Sequence, residues 1–265
     1  PMADAVWHNE QRGGDTCNTL GPLPGRVRTP RQPSARHQEH ALSGATPDPL
    51  ANSLIAGLPR AEQRRLLAGC EPVDLVFGNM LCQPGRPLRD ACFPLTGCIG
   101  LAAAVNGHPP LDMALVGSEG MLGLSLALGI GTDVPMLGIV KCPGLALRIP
   151  AASFRRELLQ SPGLARAVDR RLFGLLAELA RTAACTSFHE VQARLARWLL
   201  MLHDRAHADH FHMTHELLAD MLGVQRSAVT IAAGAMQKAG LISYSRGEIQ
   251  VLDRKGLESL SCECY

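Results

Sequence analysis

Histidines and cysteines are the residues of this 265-residue chain whose types and spacing could support chemistry. One short stretch holds five histidines and two aspartates, namely His203, Asp204, His207, Asp209, His210, His212 and His215. His203 and His207 are four residues apart, so both imidazoles could reach one metal ion if a helix extends that far. Because the spacing matches no established zinc signature, a solvated linker is the favoured interpretation of this stretch.

The nine cysteines do not form a recognisable framework. They are Cys17, Cys70, Cys82, Cys92, Cys98, Cys142, Cys185, Cys262 and Cys264. An odd number at irregular intervals favours free thiols in a reducing compartment, and the scatter does not imply four convergent iron–sulfur ligands. For Cys262 and Cys264 a frayed tail is the favoured interpretation, and a redox or metal role is the alternative. The sequence thus predicts no metal and no cofactor.

Enzyme motifs are missing from the sequence. It contains no G-x-S-x-G, no G-x-x-x-x-G-K-[ST] and no G-x-G-x-x-G. His189-Glu190 and His215-Glu216 both lack the second histidine of H-E-x-x-H. The chain is therefore predicted not to be an enzyme.

Composition narrows the class of protein. The chain has 26 Lys and Arg against 24 Asp and Glu, so the overall charge of +2 does not indicate a polybasic coat for nucleic acid. A hydrophobic content of 46% excludes a wholly disordered protein, and 4% aromatic residues disfavour a single-strand binder that stacks bases. No apolar run approaches the roughly 20 residues of a membrane-spanning helix, and no signal peptide is recognisable, which predicts a cytoplasmic protein.

The positions of these residues depend on elements that change along the chain. Residues 1–48 are rich in Pro, Gly, Arg, His and Gln without an apolar period, which predicts a disordered tail. Between Glu71 and Ile149, short apolar runs alternate with Gly, Pro and Asn, which is typical of a small all-β sandwich, jelly roll or barrel. Asn106-Gly107 predicts a two-residue hairpin turn, because both residues tolerate positive φ.

A helical period begins after Pro150 and predicts a long helix from Ser161 to about Cys185. Its apolar positions step by four, three, four and three residues: Val168, Leu172, Leu175, Leu179 and Thr182. Such a narrow stripe favours pairing with a second copy of the chain, and the alternative is packing on the β-domain. A second amphipathic helix is predicted from Ser187 to about Ala206.

Two short helices are predicted near the C-terminus. Thr214 is a candidate N-cap of the first, which ends at Gly223, and the second extends from about Arg226 to Ala239. A short turn containing glycine between two helices is typical of the helix-turn-helix, whose second helix enters the major groove of DNA. The following LISYSRGEIQVLD predicts a β-hairpin, which would be a wing.

The motif THELLADMLGVQRSAVT, the wing and the element order resemble the Crp-Fnr transcription regulators, from about Leu50 to Glu258. The resemblance implies an α+β protein with an N-terminal antiparallel β-roll (jelly roll), a long dimerisation helix and a C-terminal winged helix-turn-helix. It also implies five segments: a disordered tail (1–48), a cyclic-nucleotide-binding-like sensor domain (49–150), a dimerisation helix (151–185), a winged helix-turn-helix DNA-binding domain (186–258) and a C-terminal tail (259–265). Dimerisation would use Val168, Leu172, Leu175 and Leu179.

The resemblance also assigns DNA contacts. It places Gln225, Arg226, Ser227 and Thr230 at base edges, with Arg226 at the family's base-reading arginine. Backbone contacts would come from Thr214, Lys238 and Arg246. The best-known family members carry an acidic residue and a second arginine where this chain has Ser227 and Ile231, so their operator sequence does not transfer.

Two features bear on ligand and charge. Family members that bind cyclic nucleotides hold the phosphate with an arginine, whereas this chain has none between Arg89 and Arg148, so we expect an effector other than cyclic AMP. From Thr186 onward, eight Lys and Arg face nine Asp and Glu, so the DNA-binding part is not basic.

The sequence therefore predicts a homodimeric transcription regulator that binds a palindromic operator in double-stranded DNA, with RNA polymerase as a further partner and no membrane. Its effector is not identified. The alternative is a ligand-binding β-roll signalling module with a degenerate helix-turn-helix that does not bind DNA.

Overall fold

The computed structural model of the chain describes residues 48–129, 134–206 and 208–265, so the predicted tail lies, apart from Asp48, outside the described residues. The first elements are a 3-10 turn at Pro49–Ala51 and two short helices, α1 (Ser53–Ala56) and α2 (Arg60–Ala68). Asn52 caps α1 with its side-chain oxygen, and its Nδ2 donates to the carbonyl oxygens of Pro94 and Gly120, each at 2.9 Å. This buried amide attaches the first helices to the region of strands that follows.

Seven strands form two antiparallel sheets that share one core. They are β1 (Glu71–Leu75), β2 (Met80–Cys82), β3 (Asp90–Pro94), β4 (Cys98–Ala103), β5 (Leu111–Val116), β6 (Leu137–Cys142) and β7 (Gly144–Pro150). One sheet has the order β1-β7-β3 and the other β2-β6-β4-β5. Phe93 and Ile149 from the first sheet and Ile99 and Val140 from the second are fully buried in the shared core. The predicted N-terminal β-region is confirmed.

The hairpin of β4 and β5 differs from its prediction. Asn106-Gly107 does lie between the two strands, but the connection comprises residues 104–110 and only Gly107 of the pair has positive φ, at 80°. Pro109 and Pro110 follow after His108 and cannot donate to the strand ladder, so β5 starts later than a two-residue turn would allow.

Three helices follow: α3 (Ala151–Gln160), α4 (Pro162–Phe188) and α5 (Val191–Ala206). The long predicted helix is therefore present as α4. No helix within the described ranges combines the length and apolar character needed to cross a membrane.

The role predicted for the apolar stripe of α4 needs correction. Val168 and Leu175 are only 1% and 8% exposed within a single chain, and Leu172 and Leu179 pack partly buried against the same core as the β-roll. These four residues attach α4 to its own β-domain, as in the alternative considered above. The spacing of apolar residues predicts that one side of a helix is buried, but it does not show which part of the protein covers that side. Helix α4 also has a second apolar stripe, which the sequence pattern did not distinguish from the first.

That second stripe faces outward and is called the outer stripe of α4 below. It consists of Phe173, Leu176, Ala180 and Ala183, spaced three, four and three residues apart and exposed on the single chain. Phe173 and Leu176 are 74% and 59% exposed, which is unusual for large apolar side chains on a helix.

The C-terminal part contains three helices and a small sheet around a second core. Its elements are β8 (His210–His212), α6 (His215–Leu222), α7 (Arg226–Lys238), β9 (Ile242–Ser245), β10 (Glu248–Val251) and α8 (Arg254–Leu260), and the sheet order is β8-β10-β9. Helix α5 lies at the centre of this core through Leu195, Leu199 and Leu202, all fully buried. Cys98 and Leu115 of the β-roll belong to the same core, so α5 packs against both parts of the chain.

Candidate nucleic-acid interface

The turn between α6 and α7 is set by local sequence signals. The Thr214 hydroxyl accepts a hydrogen bond from the Leu217 amide at 3.2 Å and caps α6, which satisfies one of the free N–H groups of the first turn. Gly223 ends α6 in the left-handed region at φ 62°, where a side chain is strained, and a β-carbon there would lie 2.9 Å from Leu111 of β5. Helix α7 then starts within three residues, which produces the predicted helix-turn-helix.

The first turn of α7 brings the predicted base-reading residues together. Gln225 is at the N-cap position and Arg226 and Ser227 begin the helix, while Thr230 lies one turn later. All four are exposed. The opposite face of α7 is buried in the second core through Val229, Ala232, Ala233 and Met236. Helix α7 therefore presents a polar N-terminal edge that a groove of DNA could receive.

A histidine and a tyrosine support this edge. From the sequence, His215 was predicted to lie in a solvated linker, and Tyr244 was not singled out. The Thr230 hydroxyl donates to the Arg226 carbonyl at 3.0 Å and lies 3.0 Å from Nδ1 of His215. The His215 ring stacks on Tyr244 of the wing at 4.1 Å between ring centres. Burial, followed by the nearby Arg226 charge, lowers the pKa of His215 below its usual value. A neutral His215 at pH 7 thus connects α6, α7 and the wing.

The wing carries a cation at its tip. Arg246 and Gly247 connect β9 to β10 with φ values of 51° and 86°, the pattern of a two-residue turn with both residues left-handed. Arg246 is exposed, and the Gly247 carbonyl accepts a hydrogen bond from the Met213 amide at 2.7 Å. A β-carbon at Gly247 would approach Thr214 to 3.2 Å, so the wing packs against the start of α6. Lys238 is exposed on the last turn of α7, away from Arg226.

The charges of the C-terminal part leave few cations for phosphates. Four of them are buried or paired with carboxylates: Arg194, Arg197, Arg205 and Arg254. The exposed cations on α7 and the wing are Arg226, Lys238 and Arg246. Recognition on this surface must therefore rest on a small number of side chains.

Comparison with known proteins places this geometry in a family. Residues 193–260 match the model of the Crp-like helix-turn-helix domain. The transcriptional regulator SdrP of Thermus thermophilus is 27% identical over 207 residues, which is 72% of this chain and 94% of that protein. The global nitrogen regulator of a Synechocystis species is 23% identical over 63% of this chain and 78% of its own length.

Solved structures of transcription regulators share the fold of this chain. A transcriptional regulator of the Crp/Fnr family from Thermus thermophilus superposes with a TM-score of 0.60 at 26% identity, over 72% of this chain and 98% of that one. The C-terminal part is thus a Crp-like helix-turn-helix domain, and the chain resembles Crp-Fnr regulators along most of its length. FixK2 from Bradyrhizobium japonicum shares the fold, with a TM-score of 0.61 at 15% identity over 73% of this chain and 98% of that one. The α+β fold with β-roll, long helix and C-terminal helix-turn-helix is thus confirmed, and the chain is a transcription regulator of the Crp-Fnr type.

A pocket that the sequence did not predict lies beside the β-roll. An open cavity of ≈ 260 Å³ lies between the first helices, the loop after β5 and α4, and it is lined by Ser53, Leu54, Gly57, Glu119, Ala167, Arg170 and Arg171. The loop itself has no arginine, but Arg170 and Arg171 reach the pocket from α4, about fifty residues later in the sequence. The prediction that the loop has no arginine stands, but tertiary packing brings two guanidinium groups to the pocket beside it.

Glu119 connects this pocket to the helices on either side of the α4–α5 junction. Its Oε1 accepts hydrogen bonds from Arg171 Nη2 of α4 at 3.3 Å and from Arg205 Nε of α5 at 2.9 Å. Burial opposes ionisation of Glu119, but Arg205, Arg171 and backbone amides together hold its pKa below the usual value. The Gly117 amide, 3.2 Å from the same oxygen, fixes the loop.

Proposed function

We propose that this protein binds a palindromic DNA operator as a homodimer. In this proposal the N-terminal edge of α7 enters the major groove, Arg226 donates to O6 and N7 of a guanine, and Gln225, Ser227 and Thr230 contact neighbouring bases. Thr214, Lys238 and Arg246 contact phosphates. The observation that carries the proposal is the exposed, polar first turn of α7, supported from behind by His215 and Tyr244.

The outer stripe of α4 is the proposed dimer seam. Phe173, Leu176, Ala180 and Ala183 repeat with the three–four spacing of a coiled coil, and burying two large apolar side chains per chain favours pairing with an identical helix. Ala180 and Ala183 are small, so the two helices can approach closely along that half of the seam. A two-fold axis along α4 would set two α7 helices about one turn of DNA apart, roughly 34 Å.

Glu119 offers a route from the sensor to the DNA-binding part. Arg170 and Arg171 favour an anionic effector in the pocket, and such a ligand would compete with Glu119 for Arg171. Without its contact to Arg171, Glu119 would also release Arg205. Arg205 is on α5, the helix at the centre of the second core. The binding of effector would thus change the position of α7 in the dimer, and through it the contact of the regulator with RNA polymerase.

Footprinting of genomic DNA with the purified full-length protein tests this function. We expect protected sites that share a palindrome whose half-sites are about 10 base pairs apart between centres. Protection without a common sequence, or no protection at any protein concentration, would instead favour a β-roll module whose helix-turn-helix no longer binds DNA.

A further inference from the structure

Four metal-ligating side chains that DNA binding does not use converge where α4 ends. They are Cys185, His189, Cys262 and Cys264, and their ligand atoms all lie within 4.8 Å of one another. Cys185 Sγ is 3.5 Å from Cys262 Sγ, and Cys264 Sγ is 3.6 Å from Nδ1 of His189. Three thiols and one imidazole form the Cys₃His donor set of structural zinc sites.

Two distant segments supply these ligands. Cys185 lies on the last turn of α4 and His189 is its C-cap residue, so the four-residue spacing puts both on one side of the helix end. Cys262 and Cys264 follow α8, which packs on α5 and returns the C-terminus to that point. The interpretation of these two cysteines as a frayed tail is therefore corrected, since Cys262 is only 8% exposed.

The distances fit one tetrahedral ion. With zinc–sulfur bonds of about 2.3 Å, the edge between two sulfurs of a tetrahedron is about 3.8 Å, and a sulfur–nitrogen edge is slightly shorter. The separations of 3.5 Å and 3.6 Å are close to these edges. A multinuclear iron–sulfur cluster would hold its thiolates farther apart, because more than one metal lies between them.

The surroundings of His189 orient it for such an ion. Its Nδ1 faces the thiols, while Nε2 lies 3.2 Å from Oε1 of Glu263. A carboxylate on the outer nitrogen of a ligating histidine fixes the tautomer and strengthens the inner nitrogen as a donor. Glu263 lies between Cys262 and Cys264 in the sequence, so the same segment supplies both kinds of contact.

A buried cation beside the thiols indicates that negative charge belongs there. Arg197 is 1% exposed and its Nε donates to the main-chain oxygen of Cys264 at 3.1 Å. Its Nη2 donates to Thr182, its Nη1 has no hydrogen-bond partner, and no carboxylate in the described ranges pairs with it. A zinc ion with three thiolates and a neutral imidazole carries one negative charge, which would compensate this guanidinium.

We propose that Cys185, His189, Cys262 and Cys264 bind one Zn²⁺ ion that fastens the C-terminus to the end of α4. The ion would hold the short α4–α5 junction, and with it the angle between the proposed dimer helix and the DNA-binding part. Each ligand contributes Sγ of a cysteine or Nδ1 of His189, and Glu263 is a positioning residue. Binding of the ion does not depend on binding of DNA.

A cobalt titration of the full-length protein tests the site. The protein is stripped of metal with a chelator under reducing conditions, checked for its native circular dichroism, and titrated with Co²⁺. We expect one Co²⁺ per chain, the intense absorption of a thiolate-bound tetrahedral ion, and displacement by Zn²⁺. We expect Cys264→Ser to weaken binding at least tenfold and Glu263→Gln to weaken it about tenfold.

Cys70→Ser is the matched control, because Cys70 is partly buried but lies outside the cluster. The Cys70→Ser protein should bind Co²⁺ with the affinity of the wild type. Glu263 is exposed, so its substitution leaves a folded protein even if Cys264→Ser does not fold. Equal Co²⁺ affinity in wild type and Glu263→Gln would overturn the role of Glu263. Folded wild-type protein that takes up no Co²⁺, binds iron with acid-labile sulfide, or forms a Cys185–Cys262 disulfide under reductant would overturn the zinc site.

Discussion

Arg205 of α5 donates a hydrogen bond from Nε to Oε1 of Glu119 at 2.9 Å, which connects the helix at the centre of the C-terminal core to the pocket loop of the β-roll. The side chain of Arg205 is 15% exposed and that of Glu119 is 37% exposed, so solvent screens this pair only in part. Arg171 of α4 shares the same oxygen. One carboxylate thus joins three parts of the chain.

Glu119→Gln should destabilise the fold, because it removes the nearest carboxylate from two poorly solvated guanidinium groups and leaves, among the described residues, only Glu178, 4.0 Å from Arg171, close by. We expect the free energy of unfolding in urea to fall by about 1–2 kcal/mol, between the values for exposed and buried pairs. Glu71→Gln is the control, since Glu71 pairs with Arg148 on the surface and its substitution should change stability much less than that of Glu119. Equal effects of the two substitutions would contradict a structural role for Glu119.

The stabilising effect of Glu119 should also depend on pH. Its pKa in the folded protein lies below the usual 4.5, so the folded state favours the carboxylate and the stability gained is present above that value. As pH falls through the folded pKa, the carboxylate protonates and the gain is lost. The difference in unfolding free energy between wild type and Glu119→Gln should therefore be constant near neutral pH and shrink in acid. A difference that grows in acid would contradict the assigned shift.

The two faces of α4 should respond differently to substitution. Leu176→Glu puts a charge into the outer stripe, so we expect monomers in sedimentation equilibrium at concentrations where the wild type is dimeric. Val105→Glu is the control, because Val105 is similarly exposed, at 61%, but lies in the β4–β5 connection. Val168→Ala should leave the dimer intact and lower the free energy of unfolding by about 1.5–3 kcal/mol, since Val168 belongs to the core of its own chain. A monomeric Val168→Ala together with a dimeric Leu176→Glu would instead place the seam on the inner stripe of α4, which is Val168, Leu172, Leu175 and Leu179.

The salt dependence of DNA binding should be moderate. Arg226, Lys238 and Arg246 are the exposed cations of α7 and the wing, but only Lys238 and Arg246 are assigned to phosphates. Two copies of two phosphate-neutralising groups give a slope of log K against log salt of about −4. A fluorescence anisotropy series over several salt concentrations measures this slope. A slope near twice that value would show that cations outside α7 and the wing also reach the DNA.

Local signals made the helix-turn-helix predictable. The cap at Thr214 and the left-handed Gly223 each act within a few residues, and α7 begins at Arg226 as predicted and ends one residue early, at Lys238. The β-region could likewise be recognised from its turn residues. The hairpin of β4 and β5 was longer than predicted because two prolines follow the turn.

Contacts between distant segments were not predictable in the same way. The apolar period of α4 is visible in the sequence, but the division between the inner stripe and the outer stripe around Phe173 requires the position of the β-roll. The four-residue spacing of Cys185 and His189 is visible in the sequence and is compatible with two ligands on one side of a helix. Cys262 and Cys264 lie more than seventy residues away, so only the fold shows that they join the same cluster. Arg171 near Glu119 is a third case of residues that only the fold brings together.

The central claim is that Arg226 reads a base of the operator. The most direct test measures the binding of Arg226→Ala to the footprinted operator and to the same operator with one guanine in each half-site replaced. If Arg226 reads that guanine, the substitution should cost about 1–3 kcal/mol per half-site on the operator and remove the preference between the two DNAs. Lys238→Ala, a proposed phosphate contact, should weaken binding to both DNAs equally and keep the preference. An Arg226→Ala protein that loses the same affinity on both DNAs and still prefers the operator would contradict base reading by Arg226.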